Sequence, residues 1–264
     1  MARIFVTGSS TGLGLLAGQR LAREGHAVVL HARNERRADD ARQALRSAED
    51  VIVGDLQTIR SAVDLAEKAN ALGRFDAVIH NAGVYDGGAL QTEDGLPAVF
   101  AVNALAPYIL TALMIPPERL VYLSSSMHSG ADLDLDDLTW KRREWNVTRA
   151  YSESKLLVLL LAFAAARLRP DAYANAVDPG WVPTRMGGSG ATDDLDKGAE
   201  TQAVLAAPAA DSPLADASGE YFHHLRAREP DARARDTALQ DEFLGRCTRL
   251  SGITIDPAQT SAQC

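Results

Sequence analysis

The sequence predicts an α/β fold, a doubly wound parallel sheet in a single domain, and three observations carry that prediction. Short apolar runs alternate with helical patterns along the chain. The runs are rich in Val, Ile and Leu and mostly lack polar alternation, as strands covered on both faces do. A glycine-rich turn joins the first run to the first helix, the arrangement from which such folds bind nucleotides. At 264 residues, 46% hydrophobic and 23% charged, the chain is long enough for one large domain with a sizeable core.

In order, the strand-like runs are 3–7, 27–32, 51–54, 75–80, 119–124 and 172–178. The helical patterns are 13–24, 35–46, 59–72, 97–115 and 148–169. In the first of these, Leu13, Leu16, Ala17 and Leu21 form an apolar stripe. Strand–helix alternation of this kind implies right-handed crossovers and a parallel sheet. No repeat, low-complexity tract or linker divides residues 1–264, so one domain is expected. Segments 85–95, 126–147 and 183–196 do not fit the alternation. Each follows a strand and therefore projects from the carboxyl edge of the sheet, where ligands of open α/β folds bind. Three long loops on one edge point to a substrate site.

Composition excludes several other classes. The longest purely apolar run, 156–166, falls well short of the roughly 20 residues that span a bilayer. Met1-Ala2-Arg3 leads straight into Ile4-Phe5-Val6 with no leader pattern, so a cytoplasmic location and no membrane span are expected. Cys247 and Cys264, the only cysteines, make neither a disulfide framework nor a metal site, and no zinc-like His/Cys/Asp spacing occurs. A net charge of −8 without a basic cluster argues against nucleic acid as a partner. Only four of the 27 basic residues are lysines, which makes a specific task for one of them easier to suspect.

The glycine-rich turn reads Thr7-Gly8-Ser9-Ser10-Thr11-Gly12-Leu13-Gly14. Gly8 suits the tight turn, Gly12 lets backbone approach a phosphate, and Gly14 lets the helix pack close to the sheet. The helix N-terminus then offers free N–H groups to a pyrophosphate. Farther along, Tyr151 and Lys155 stand four residues apart on one face of a helix. Alone, such a pair is more often a solvated helix face. An ammonium near a phenol favours the phenolate and brings its pKa of about 10 closer to a working range.

The spacing Thr-Gly-x-x-x-Gly-x-Gly resembles that of the short-chain dehydrogenase/reductase family, and further landmarks follow in the family's order. They are Asn81-Ala82-Gly83 (with His80 in place of a first Asn), Asn103, Ser124-Ser125-Ser126, Tyr151-Ser-Glu-Ser-Lys155 and Asp178-Pro179-Gly180-Trp181-Val182-Pro183-Thr184. The similarity covers residues 3–225 and looks most like the retinol-dehydrogenase-like reductases, from the phrase 119–128 and from Gly198-Ala-Glu-Thr-Gln.

This resemblance implies an NADP(H)-dependent oxidoreductase that interconverts a carbonyl and an alcohol, with a small-molecule substrate. Tyr151 would be the general acid/base and Lys155 would hold the nicotinamide ribose. Ser125 would hydrogen-bond the substrate carbonyl, alignment choosing it over Ser124 and Ser126, and Asn103 would anchor a relay water. The cofactor would rest on Gly8, Ser10, Thr11, Gly12, Leu13 and Gly14, on Asn81, Ala82 and Gly83, and on Pro179, Gly180, Val182 and Thr184. Asp55 and Leu56 would lie near the adenine, although Asp55 alone reads as a helix N-cap. Where the second strand ends, Ala32 replaces the acidic residue of an NAD site and Arg33 follows it, so NADP(H) is favoured over NAD(H). Arg36 can add to that field, whereas Arg37 reads as a solvent-facing helix residue. The alternatives are a reductase of an activated C=C bond and a non-catalytic nucleotide sensor; a sensor typically loses the tyrosine or lysine that this chain keeps. Trp140, Trp145, Trp181, Met127 and Met186 lie in or beside the loops and read as an apolar pocket wall or as core. His128, His223 and His224 have no assignable acidic partner and are not taken as acid/base groups. The all-round apolar stretch 156–166 favours a homodimer over a monomer.

Overall fold

A computed structural model describes residues 1–85 and 91–257; Cys264 and part of the 85–95 loop lie outside the described residues. Its single sheet has the order β3-β2-β1-β4-β5-β6-β7-β8. The strands are β1 (Arg3–Val6), β2 (Ala27–Ala32), β3 (Asp50–Val53), β4 (Ala77–His80), β5 (Arg119–Leu123), β6 (Tyr173–Asp178), β7 (Tyr221–His223) and β8 (Arg226–Arg228). All neighbours are parallel except β7 and β8, which form an antiparallel hairpin at the edge. The order reverses at β1, whose neighbours β2 and β4 lead the chain in opposite directions, and there a crevice opens at the carboxyl ends.

The helices are α1 (Gly12–Arg23), α2 (Glu35–Ala44), α3 (Ile59–Ala71), α4 (Ala98–Phe100), α5 (Ala106–Leu113), α6 (Val147–Leu168), α7 (Leu195–Ala206) and α8 (Thr237–Ser251). Side chains of β1 alternate between two cores. Ile4 and Val6 join α1, α2 and α7 on one face, while Phe5 joins α3, α5 and α6 on the other. The helix expected over 97–115 is present but broken: α4 and α5 are joined by a π-helical stretch, Ala101–Leu105, which contains Asn103. The buried stripe of α1 is Gly14, Ala17, Gly18 and Leu21, rotated from the one expected because Leu13 and Leu16 are only half-buried.

Helix α6 is buried continuously from Ala150 to Ala165. Its outer side is covered by α8 of the same chain, whose Phe243 and Cys247 are fully buried in the same core. The all-round apolar sequence that argued for a second copy therefore has its partner within the chain. Cys247 is a free thiol in that core, and burial pushes its pKa well up.

Candidate active site

The glycine-rich turn is fixed from below by side chains that pattern reading passed over. Ser9 Oγ donates to Val6 O at 2.7 Å and accepts from His31 N at 2.8 Å. His31 Nδ1 accepts from the Gly8 N–H at 2.9 Å, so its proton sits on Nε2 and is donated to Gly54 O at 2.8 Å. Burial lowers the His31 pKa to about 4, and the ring stays a neutral strut between the turn and the end of β3. Asn81 Nδ2 donates to Thr7 O and Gly8 O, and the Ala82 N–H donates to Thr7 Oγ1.

Gly8 and Gly12 both take φ of 63°, and a Cβ on Gly8 would sit 2.7 Å from Ala82 Cα. A Cβ on Gly14 would strike Asn81 Nδ2 at 2.4 Å, so its smallness serves the contact with Asn81; packing of α1 on the sheet falls to Gly18, against Val28 and Leu30. Thr11 begins α1 without a side-chain cap, and the first turn carries no acid. By contrast α2, α3, α6, α7 and α8 are each capped by a side chain. Asp55 is not one of those caps. Its carboxylate accepts from the Leu56 and Gln57 N–H groups, and Thr58 caps α3 in a reciprocal pair with Ser61.

Tyr151 and Lys155 lie in the first turns of α6, beside the end of β5. Lys155 Nζ donates to Leu123 O at 2.8 Å and lies 5.4 Å from the centre of the Tyr151 ring. Burial lowers the Lys155 pKa to about 8, with the Asp178 carboxylate opposing. The Tyr151 hydroxyl is pushed up to about 12 by burial and by Asp178, although a hydrogen bond with Ser125 pulls the other way. The expected lowering by the ammonium is thus absent in this arrangement, since Lys155 is turned to a carbonyl and desolvation dominates.

Of the three serines, Ser124 Oγ is spent on Lys155 O at 2.8 Å, and Ser126 opens a 3₁₀ turn, Ser126–Gly130. Ser125 alone reaches the tyrosine. It is held there by His128, whose Nε2 accepts from the Asp231 N–H and whose Nδ1 donates to Ser125 O at 2.6 Å. Asn103 binds Val84 through both amide atoms and donates to Ser154 Oγ at 3.0 Å. Both its amide hydrogens are used within the protein, so a relay water there would be held by an oxygen of Asn103.

At the end of β6, Gly180 has φ of 82° and its N–H donates to Asp178 Oδ1. A Cβ there would lie 2.4 Å from Asp193 Oδ2, which accepts from the Trp181 N–H. Val182 is buried against Gly198, and Thr184 faces Gly12 across the crevice. Leu13 packs on the same Gly198, while Ser10 and Thr11 form the rim of the turn. Gly83 lies between Asn103 and Lys155, within 4 Å of each for an added Cβ, and Leu56 is buried beside Ile52. Arg33 follows β2 on the surface, exposed.

Of the four exposed large apolar side chains among the described residues, Tyr85 and Met186 contact Tyr151 and Trp181 lines the cleft beside the site. The Tyr85 ring meets that of Tyr151 edge-on at 5.0 Å, and the Tyr151 hydroxyl points at Met186 Sδ, 3.9 Å away. Trp140 and Trp145 are elsewhere; they pack on each other at 5.4 Å in the 126–147 loop. Arg143 in that loop stacks 4.1 Å over Trp140 and bonds both Glu153 oxygens and Asp137. Asp137 and Glu153 are both almost fully buried, and burial pushes the Glu153 carboxyl up to about 7 against the pull of Arg143. This clamp ties the loop to α6 two residues beyond Tyr151. A cleft of about 580 Å³ opens beside the site, with Ser126, Asp178, Gly180 and Trp181 at its near end.

Comparison with known proteins agrees with this geometry. Residues 2–131 match the family model described as short chain dehydrogenase. The short-chain dehydrogenase chry4 of Gibberella zeae is 40% identical over 259 residues, covering 97% of this chain and 99% of that protein. Retinol dehydrogenase 13 of Homo sapiens is 29% identical over 282 residues, covering 95% of this chain and 84% of the relative. Among solved structures, an uncharacterized protein from Mycobacterium paratuberculosis superposes with a TM-score of 0.84 at 26% identity, covering 97% of this chain and 95% of the other. A short chain dehydrogenase from Shigella flexneri, complexed with NADP, superposes with a TM-score of 0.63 at 25% identity, covering 85% and 97%. Likeness sustained over nearly the whole of both sequences makes this oxidoreductase a member of the short-chain dehydrogenase/reductase family, on its retinol-dehydrogenase-like side.

Proposed function

We propose that the protein is an NADP(H)-dependent reductase interconverting a carbonyl and an alcohol, with Tyr151 as general acid/base. The observation that carries this reading is the convergence of the Tyr151, Ser125 and Lys155 side chains between the glycine turn and the Pro179-Gly180 turn. The chain's own residues fit the cofactor. Helix α1 alone among the longer helices presents an uncapped first turn, free of acids, to a pyrophosphate. Lys155 and Asn81 to Gly83 border the nicotinamide end of the crevice, and Val182 and Thr184 border its other wall. A bound nicotinamide supplies or accepts the hydride. Tyr151 gives its phenolic proton to the carbonyl oxygen, and the Ser125 hydroxyl donates a hydrogen bond to the same atom as charge builds there. The Lys155 ammonium, once turned from Leu123 O toward the tyrosine, would stabilise the phenolate left behind. Asn103 positions: it holds the Val84 backbone and Ser154 on the floor of the site. Tyr85, Trp181 and Met186 give the carbonyl's apolar body a surface to rest on. A panel of ketones, aldehydes and enones with both nicotinamide cofactors tests the reading, and turnover of enones alone would reassign the reaction to C=C reduction.

The cofactor choice rests on Arg33. The second strand ends at Ala32 with no carboxylate to bind a ribose 2′-hydroxyl, and the exposed guanidinium beside it suits a 2′-phosphate. The NADP complex of the Shigella flexneri relative is consistent with this. Arg33→Ala is expected to raise the KM for NADPH roughly tenfold to a hundredfold, the value of one charge-assisted hydrogen bond, with NADH little changed. Equal binding of NADH and NADPH by the wild type in low salt would refute it.

In place of the expected twofold pairing through α6 we propose a monomer, a reading supported by the packing of α8 on α6 within the chain. Light scattering at micromolar concentration should give one chain's mass, and a dimeric mass would count against it. The reading places the enzyme in the cytoplasm, which fractionation of cells tests; no helix among the described residues is long and apolar enough to cross a membrane.

A further inference from the structure

The edge hairpin β7–β8 takes no part in the chemistry above, yet it is built in a costly way. Its two-residue turn is His224-Leu225, at φ of 46° and 63°. Consecutive positive φ values are the province of Asn and Gly, and bulky side chains there are strained. The Leu225 N–H holds the turn by donating to Thr201 Oγ1 of α7 at 3.0 Å. The rings of His223 and His224 stack at 3.9 Å, and His224 Nε2 is buried without a hydrogen-bond partner. On β8, Arg226 and Arg228 are two residues apart and share a face. With Lys197 from α7 and the two histidines they line a hollow of about 390 Å³. Its one acid, Glu200, is paired with Arg20. Among the described residues the side chains of Lys197, Arg226 and Arg228 have no ion-pair or hydrogen-bond partner.

This hollow adjoins the cleft that opens beside the catalytic groups, since His223 and Arg228 line both. The cleft's carboxylates are already engaged. Asp178 accepts from Gly180 and faces His223, Asp193 accepts from Trp181, Asp231 pairs with Arg233, and Glu229 lies 3.7 Å from Arg235. Asp178 and Asp193 are bonded to neutral N–H groups and keep their charge, so the positive charge left for a ligand is that of the hollow, where Lys197, Arg226 and Arg228 face only Glu200, itself paired with Arg20. Charged residues on an edge strand also discourage pairing with another sheet. That does not account for a strained turn, nor for a lysine from another element converging on the same hollow.

We propose that Lys197, Arg226 and Arg228 form a subsite for a carboxylate carried by the substrate, whose carbonyl end lies at Tyr151 and Ser125. The proposal rests on the reductase reading and deepens it, narrowing the substrate class to oxo acids. The test uses a graded series of ω-benzoyl alkanoic acids and their methyl esters, which differ only in the anionic group. At one chain length the wild type should favour the acid over its ester by about tenfold to a hundredfold in kcat/KM, through KM. In Arg226→Gln/Arg228→Gln that ratio should fall towards one. Equal rates for acid and ester at every length, or a ratio that survives the double substitution, would overturn the subsite while leaving the reductase reading intact. If no carbonyl compound is turned over, the reductase reading fails, and calorimetric titration of the same acids into the NADP⁺-saturated protein decides the subsite separately. Binding that is lost in the double variant supports it, and absence of binding by the wild type rejects it.

Discussion

Tyr151→Phe is expected to lower turnover by about three to five powers of ten with cofactor affinity little changed. The substitution removes the proposed proton donor to the carbonyl and one hydrogen bond to the developing oxyanion, leaving that of Ser125. The ring stays, so its edge contact with Tyr85 and its burial are kept and the fold should not suffer. The pH profile separates this role from a packing role. With its pKa held up at about 12, Tyr151 is protonated throughout the neutral range. Carbonyl reduction, which needs the phenol and the Lys155 ammonium, should therefore be level below about pH 7 and fall as pH rises through about 8, where Lys155 loses its proton. Alcohol oxidation needs the phenolate and should climb across the same range. The measurement is steady-state kinetics in both directions; near-wild-type turnover by the phenylalanine variant would remove Tyr151 from the reaction.

Arg143→Met should be the most destabilising single change outside the sheet, by about 3–5 kcal/mol, because it strands two buried carboxylates. Asp137 and Glu153 are 2% and 3% exposed, and Arg143 is the cation bonded to both. The sign of the pH dependence follows from Glu153. Its folded pKa lies above its unfolded value, so its contribution to stability is fully present below about pH 4.5 and is lost as pH rises through about 7. Without the guanidinium the folded carboxyl titrates higher still, so the deficit of the variant should widen above pH 7 and narrow at pH 5. Urea unfolding at several pH values reads this directly. A deficit independent of pH would mean that lost packing on Trp140, not the stranded charge, is the cause.

The half of the molecule that binds the nucleotide was legible because buried parallel strands announce themselves. Runs such as Ala27–Ala32 leave no polar alternation to confuse the reading, and the observed boundaries fall within two residues of the expected ones. Beyond residue 178 the signal fades for physical reasons. Strands β7 and β8 have three residues each, and β8 is Arg-Ala-Arg, which is exposed and carries no apolar pattern. Helix α7 packs through Gly198, Ala199 and Ala203, residues too small to register as a stripe. The principal site residues could be placed because their spacing is tied to strand ends. The parts that position them could not: His31, His128, Asp178 and the Arg143 clamp act through partners 23 to 103 residues away or through loop contacts with no periodicity. The packing of α8 on Leu156 to Ala166 was not legible for the same reason, since the two lie far apart along the chain.

That late cover has a consequence during synthesis. Ribosomes make α6 well before α8, and an emerging chain carries a long aliphatic helix with one side bare until α8 (Thr237–Ser251) is made and can dock. Nascent chains in this interval should be the most prone to aggregate and the most dependent on chaperones. A change such as Phe243→Asp, which spares the catalytic groups, would then reduce soluble yield far more than it reduces the specific activity of the molecules that do mature.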